Sequence, residues 1–394
     1  MTESRFRSFD TTRLPLNIVS GIGARSCLGD QAAALDARRA LVVASPSLAR
    51  NTSFVHDLAA SLGTRCAGVF DHVAPNNPAP SLDAGAGVAR EIGADLIVSI
   101  GGGAAHDAAK AIALMAPNDR PIMDLVVRFG SHGAPIPPAQ DTMPLPVITI
   151  PATFSAAEMV GGGGVTDPAI GRKVLFAHPG LSPRAVLLDG EITAATPRNI
   201  LLASGLNAVH HCLEAIYSLG ASSISTALAQ SALATLLAVL PGLKAEDAAL
   251  DLFQKAIEAA GISGLTYANS SLGIGHAICH VLGGRYGLSH SAANAVMVRQ
   301  SLIFNRDHAT VPMAGAARSC GISFDTPAQG ADALIAAIDR LTLQLGTPRR
   351  LRDIGFRREW IAETAAESTR DWVASTNPRP AVVADIAILL EAAW

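Results

Sequence analysis

The chain changes rhythm near its middle, and that change limits the fold more than any other feature. Before it, short β-branched runs alternate with alanine-rich stretches. Ala40–Ala44, Leu96–Ile100 and Pro146–Ile150 read as strands, and Ala104–Met115 reads as a helix between the last two. Strand, turn, helix, strand is the rhythm of a parallel α/β sheet. From Thr196 onward the strand signal ends. Helical spacing of Ala and Leu takes over at 204–218, 223–240, 246–260, 266–283, 291–305, 331–345 and 358–373. The expected architecture is an α/β N-terminal domain with a parallel sheet over residues 1–192 and an all-α C-terminal domain over residues 193–394. Residues 117–144, rich in Pro and Gly, predict a long surface excursion.

Size and composition agree with two buried cores. The chain has 394 residues, 49% of them hydrophobic and 16% charged. A net charge of −3 leaves no basic footprint for nucleic acid. The longest apolar candidate for a membrane span, Ser231–Leu243, is shorter than the roughly 18 residues required. The first ten residues have no apolar stretch behind their charges, as a signal peptide would. Five cysteines without a CxxC pair fit a reducing compartment, and a cytoplasmic homodimer acting on a small molecule is the expectation.

Two groups of residues carry chemistry. Gly101, Gly102 and Gly103 close a strand and open a helix, so backbone amides can approach a diphosphate at a helix N-terminus. The pattern is not GxGxxG, and a tight βα turn is the plainer use of the same glycines. Thr153 and Ser155, after the third strand, can meet ribose or phosphate oxygens or simply cap a helix. Gly21 and Gly23 either shape the same mouth or turn a hairpin.

The helical half holds the second group. Asn207 and His211 lie four apart on one helix face, as do His276 and His280, and His290 follows a glycine turn. Several polar side chains converging on apolar helices are costly to bury without a role. They can hold a divalent metal that polarises a carbonyl, or they can donate hydrogen bonds and a proton to its oxygen without one. His210 points about 100° away from His211 and is expected to stand apart.

Together these segments resemble the iron-containing alcohol dehydrogenases. GGGAAHDAAKAIAL is similar to their GGGS-x-x-D-x-A-K stretch, PATFSAAEM to their P-T-T turn, and SGLNAVHH, GIGHAICH and LSHSAAN to their metal-ligand segments in order and spacing. Ala156 and Ala157 depart from the turn pattern, which has a serine before its Glu. The resemblance implies a dinucleotide-binding α/β domain, an all-α domain and an active site in the cleft between them, the architecture shared with dehydroquinate synthase. It places the metal-binding histidines on His211, His276 and His290, and the cleft histidine on His280. The usual aspartate ligand falls on Asn207, a poor ligand that also marks maleylacetate reductases. A divalent iron or zinc ion is therefore expected to be absent. The tail Thr376–Pro380 is similar to maleylacetate reductases as well.

The implied reaction is NADH- or NADPH-dependent hydride transfer to a keto acid such as maleylacetate, giving 3-oxoadipate in the breakdown of aromatic compounds. A metal-dependent dehydrogenase of small alcohols or aldehydes is the alternative. His211, His276, His280 and Asn207 are the catalytic candidates. Ser45, Gly101, Gly102, Gly103, Asp107, Thr153, Ser155 and Lys173 are the cofactor candidates, with Glu158 beside the nicotinamide. Lys173, Arg172 and Arg285 are also available as counter-ions to substrate carboxylates. No acid follows the strand Leu41–Ala44, where Ser45 stands, so NADPH is expected to be accepted at least as well as NADH.

Overall fold

Every pair of neighbouring strands in the main sheet runs parallel. A computed structural model describes residues 17–129, 135–138, 142–167 and 169–394. The strands are β1 (Ile18–Ser20), β2 (Ala40–Ala44), β3 (Cys66–Phe70), β4 (Leu96–Gly101), β5 (Arg128–Phe129), β6 (Pro135–Ile136), β7 (Val147–Pro151), β8 (Gly162–Asp167), β9 (Arg172–Ala177) and β10 (Ala185–Leu188). Six of them form the sheet in the order β1-β10-β7-β4-β2-β3, while β5-β6 and β8-β9 are separate antiparallel pairs. The helices of this half are α1 (Leu28–Ala34), α2 (Pro46–Asn51), α3 (Phe54–Leu62), α4 (Ala79–Glu91) and α5 (Gly103–Asn118). Strands β2, β4 and β7 are wholly buried, because helices cover both faces of a parallel sheet.

Strand order reverses between β2 and β4. From β2 the chain passes outward to β3, then returns across it to β4 and continues to β7 and β10. In open α/β sheets a ligand crevice forms at such a point, beyond the carboxyl ends of the strands. Here that crevice lies between Ser45 and Gly101, because Ala44 is in register with Ile100.

The second half is helical: α6 (Gly190–Ala194), α7 (Arg198–Tyr217), α8 (Ser223–Val239), α9 (Leu250–Ala268), α10 (Ile274–Tyr286), α11 (His290–Asn305), α12 (Thr310–Ser319), α13 (Pro327–Leu345), α14 (Ile361–Ser368) and α15 (Val383–Ala393). Helix α7 is the axis, with seventeen of its twenty residues buried. Among the described residues one helical segment, Ser223–Lys244, is long and apolar enough to cross a membrane. Its side chains Ala229, Ala232, Leu233 and Leu236 belong to the core around α7 and α9.

Several expectations need correction. The helix read at 266–283 is two helices, since α9 ends at Ala268 and α10 starts at Ile274. The missed break holds Gly273, whose amide is claimed by a buried carboxylate. Helices α12 and α15 were not anticipated. The excursion at 117–144 is described only in part, and there it forms the β5-β6 pair; positions 130–134 and 139–141 lie outside the described residues. Gly21–Gly23 is no hairpin turn, because β1 pairs in parallel with β10 and the Gly23 amide donates to Asp189.

The segment after β7 is fastened to α5 by one buried cation. Lys110 donates to the carbonyls of Ala157 (3.0 Å), Val160 (3.4 Å) and Gly162, and it lies 3.3 Å from Asp107. Asp107 in turn accepts the Gly164 amide at 3.1 Å. Asp107, expected to contact the cofactor, thus also fastens this segment. Glu158, expected beside the nicotinamide, is fully buried in the same segment.

Burial pushes the Glu158 carboxyl up to about 7, and nearby Lys110 offsets only part of that. A folded-state value above the unfolded one favours the protonated form. The stability it contributes is complete below the ordinary carboxyl range and is lost as pH rises toward 7. Glu158→Gln keeps the shape without the ionisation. We expect the variant to match the wild type near pH 4 and to exceed it by up to about 3 kcal/mol near pH 8, read from denaturant midpoints at the two pH values.

Candidate active site

The crevice at the sheet end is lined as a diphosphate site would be. Gly101 takes φ 145°, and a Cβ there would lie 2.0 Å from Ser45 Oγ, so only glycine fits. Ser45 Oγ accepts the Gly102 amide at 3.4 Å and makes no cap bond to α2. No side chain caps the start of α5, which leaves its first amides for an anion. The turn after β7 closes over this point: Ala152 N donates to Gly101 O at 2.7 Å, Thr153 packs on Gly102 and Ser155 on Gly103. Ala156, where the family pattern is broken, sits in the left-handed region at φ 63°. Ser45, Gly101–Gly103, Thr153 and Ser155 therefore converge as expected.

The histidines form a file of rings. Tyr267 lies 4.6 Å from His211, His211 4.8 Å from His276, His276 6.0 Å from His290, His290 5.7 Å from His280, and His280 4.7 Å from Trp372. Helix α7 supplies His211, α10 supplies His276 and His280, and α11 begins at His290. Asn207 stands one turn before His211 and is 2% exposed. Three buried atoms in this group have no hydrogen-bond partner: Asn207 Oδ1, His211 Nδ1 and His276 Nε2.

The opposite side of His276 is fully engaged. Its Nδ1 meets Glu214 Oε2 at 2.7 Å, and Glu214 also accepts the amides of Gly273 (2.7 Å) and Gly275 (2.9 Å). Burial works to raise Glu214, yet His210 and His276 hold it well below the ordinary range. It is therefore a carboxylate, and it makes Nδ1 of His276 the protonated nitrogen. Burial and neighbouring His210 push His276 down to about 4. His276 is thus neutral, with its Nε2 lone pair free.

His210 does not stand apart as expected. It points away from His211 but packs behind His276 at 4.5 Å, held by Asn294 (2.7 Å) and Ser301 (2.9 Å). His210, Glu214 and His276 lie close enough together to suggest a metal site. Their facing atoms already bond to protein donors and acceptors, so this group is a brace and not a ligand set. Glu214 was missed by the sequence reading. Its signal was a carboxylate at i+3 from His211 and i+7 from Asn207 on an otherwise apolar helix face.

The unpartnered atoms on the near side do fit a divalent ion. His211, His276 and His290 would hold it, with the Asn207 amide oxygen where a carboxylate is usual. A carboxylate adds a full negative charge to that set. We expect Asn207→Asp to bind divalent iron or zinc more tightly than wild type, by at least the roughly tenfold produced by changes around a ligand. Metal titration followed by elemental analysis of both proteins checks this; equal affinities would show that residue 207 does not touch the ion.

Comparison with known proteins agrees with this geometry. Residues 15–190 match the iron-containing alcohol dehydrogenases, and residues 201–394 match the C-terminal part of the same family. The chain is 30% identical over 381 residues to maleylacetate reductase 2 of Cupriavidus pinatubonensis, covering 96% of this chain and 95% of that one. It is 28% identical over 385 residues to an NAD-dependent methanol dehydrogenase of Bacillus methanolicus, covering 96% and 98%. The crystal structure of a 1,3-propanediol oxidoreductase superposes with a TM-score of 0.91 at 25% identity, covering 98% of this chain and all of that one. The absence of metal expected from Asn207 finds no support here, since the family is described as iron-containing. A parallel sheet with an anion-ready turn, facing a helical half that presents three histidines, is the arrangement of an oxidoreductase, and this chain belongs to the iron-containing alcohol dehydrogenase family.

Proposed function

We propose that the protein is an NAD(P)H-dependent reductase of an anionic keto acid of the maleylacetate type. The observation that carries this reading is the charge on one wall of the cleft. A cavity of about 90 Å³ opens beside His280 and Trp372, and Arg172, Lys173, Arg285 and Arg370 line it. Arg172 and Arg370 share Glu367, and Arg285 pairs with Glu363. Lys173, on β9, forms no hydrogen bond or ion pair among the described residues. Its charge bears on His290, which burial and Lys173 together hold well below its ordinary value. An unpaired lysine facing neutral imidazoles is compensated when a substrate carboxylate enters. This reading moves Lys173 from the cofactor to the substrate, and it leaves Arg172 and Arg285 as neutralised neighbours.

The turn Gly101–Gly103 would hold a dinucleotide, which when bound would supply hydride to a carbonyl carbon or to the olefinic carbon conjugated with it. Either way the charge develops on the same oxygen. A divalent ion bound by the histidines would polarise that oxygen as a Lewis acid. His280 is the residue placed to give it a proton from the cavity side. The five cysteines are all free, which suits a reducing compartment such as the cytoplasm.

Two measurements follow. Lys173→Met is expected to lower kcat/KM for an anionic keto acid by roughly tenfold or more, the scale of a lost charge-assisted contact, while a neutral small aldehyde is reduced as before. Equal losses on both substrates would place Lys173 elsewhere in the reaction, and a wild-type preference for the neutral aldehyde would favour an alcohol dehydrogenase. Ser45 offers no negative charge at the cofactor side of β2, so NADPH is expected to serve at least as well as NADH. Ser45→Asp should shift the ratio of kcat/KM toward NADH by about tenfold or more; wild-type exclusion of NADPH would show that another group repels the phosphate.

A further inference from the structure

The segment Asp371–Asn377 has no part in the reaction as described so far, yet it is bolted to the helix that carries His276 and His280. Thr376 Oγ1 donates to Leu272 O at 2.8 Å, just before α10 begins. Asn377 Oδ1 accepts the Ile274 amide at 3.2 Å and Asn305 Nδ2 at 3.0 Å, which ties the same point to α11. Asn377 Nδ2 reaches back to Asn305 Oδ1 at 2.7 Å. The segment is therefore fixed to both helices of the site at its far end.

Its near end meets His280 in two ways. Asp371 Oδ2 lies 2.9 Å from His280 Nδ1, and Oδ1 of the same carboxylate accepts the Val373 amide at 3.1 Å. Trp372 stacks on the imidazole at 4.7 Å and 23°, and His290 lies at 5.7 Å and 13°. The ring is thus held by two nearly parallel aromatic planes and at one nitrogen. His280, Asp371 and Trp372 all line the cavity described above. With Nδ1 committed to a carboxylate, Nε2 is the nitrogen left for a molecule in that cavity.

We propose that Asp371 and Trp372 are positioning residues for His280: Asp371 makes Nδ1 the protonated nitrogen and Trp372 sets the ring plane, so that Nε2 faces the substrate oxygen. This rests on reading His280 as the group that meets that oxygen. The acid is the ring carrying a proton on each nitrogen, its charge balanced by Asp371: the Nε2 proton passes to the oxygen as hydride reaches carbon, the ring is left neutral with its proton on Nδ1, and water in the cavity returns a proton to Nε2. A carboxylate behind an imidazole orients the ring and its tautomer in this way without itself taking the proton.

The carboxylate's double duty makes Asp371→Asn informative. The Val373 amide needs an acceptor, so the asparagine oxygen stays there and its NH2 group turns toward His280. Nδ1 then becomes an acceptor and the ring proton moves to Nε2. In the nitrogen NMR spectrum of histidine-labelled protein the His280 tautomer is expected to invert. Turnover should fall by about 10²-fold, the lower range for loss of a general acid, because no carboxylate then balances the doubly protonated ring, with KM for NADH unchanged. His280→Gln should lose at least as much, and the double variant no more, because the two residues act through one ring. Asp371→Glu keeps an acceptor charge and should retain the tautomer and recover most of the turnover; a loss equal to that of Asn would mean that Asp371 serves only the Val373 amide, and would overturn the proposal. An unchanged tautomer in Asp371→Asn overturns it as well. Near-normal turnover in His280→Gln would instead overturn the role given to His280, while the tautomer signal still decides whether Asp371 sets the ring.

Discussion

The site depends on one buried carboxylate. Glu214 hangs from α7 and collects the Gly273 and Gly275 amides and His276 Nδ1, all at the start of α10. Taking a carboxylate out of water costs several kcal/mol, and it is tolerated only where donors replace the lost hydration. Here the donors are charge-assisted backbone bonds at a helix N-terminus, where the helix dipole also favours a negative charge. The arrangement leaves no room for variation. A Cβ on Gly275 would lie 2.4 Å from the His210 ring, and one on Gly273 would lie 3.0 Å from Glu214. Helices α7 and α10 can therefore cross in one register only, and that register puts His211 and His276 face to face.

The other half of the cleft is organised by the opposite charge. Lys110 gathers backbone carbonyls from the segment after β7, as Glu214 gathers amides at α10. Burial pushes the lysine down, with Asp107 opposing. The bonded strap carries Thr153 and Ser155 onto the glycine turn and continues into β8. The β8-β9 hairpin then reaches α10: a Cβ on Gly284 would lie 2.5 Å from the Lys173 backbone nitrogen. Lys173 is placed in the cleft by that close approach rather than by any partner for its own charge.

This division explains what could be read from the sequence. The strands Ala40–Ala44 and Leu96–Ile100 and the alanine-rich helices follow from local periodicity, and they appear almost at the expected bounds. The histidine spacing showed which residues share a face. Two errors at the site came from long-range bonds. The break before α10 was invisible because its amides are satisfied by a side chain sixty residues away on α7. His210 was set aside on helical geometry, which is correct for α7 alone; the partners Asn294 and Ser301 that give it a place come from α11. Asp107 has a motif position that suggests ligand contact, and its bond to the Gly164 amide, 57 residues on, carried no local signal. Asp371 and Trp372 lie about ninety residues beyond His280 and carried no local signal.

The polar atoms of the site fall into two sets by satisfaction. Behind the rings, Glu214, His210, Asn294 and Ser301 bond to one another or to backbone amides. In front, Asn207 Oδ1, His211 Nδ1 and His276 Nε2 are buried and bond to nothing. A buried polar atom costs about 1–3 kcal/mol unless a partner engages it, so the front set is fitted to a bound ion or substrate, and the back set holds the rings in that pose. Such an arrangement is stable only while the rear network fixes the rings, since free rotation would let them pair among themselves. It also separates what the fold requires from what the chemistry can vary. Exchanging one front atom, as in Asn207→Asp, alters what the site binds and leaves the bonds between α7, α10 and α11 as they are. Exchanging a rear atom would disturb all three helices at once. What the site binds can therefore change at its front atoms without the scaffold changing.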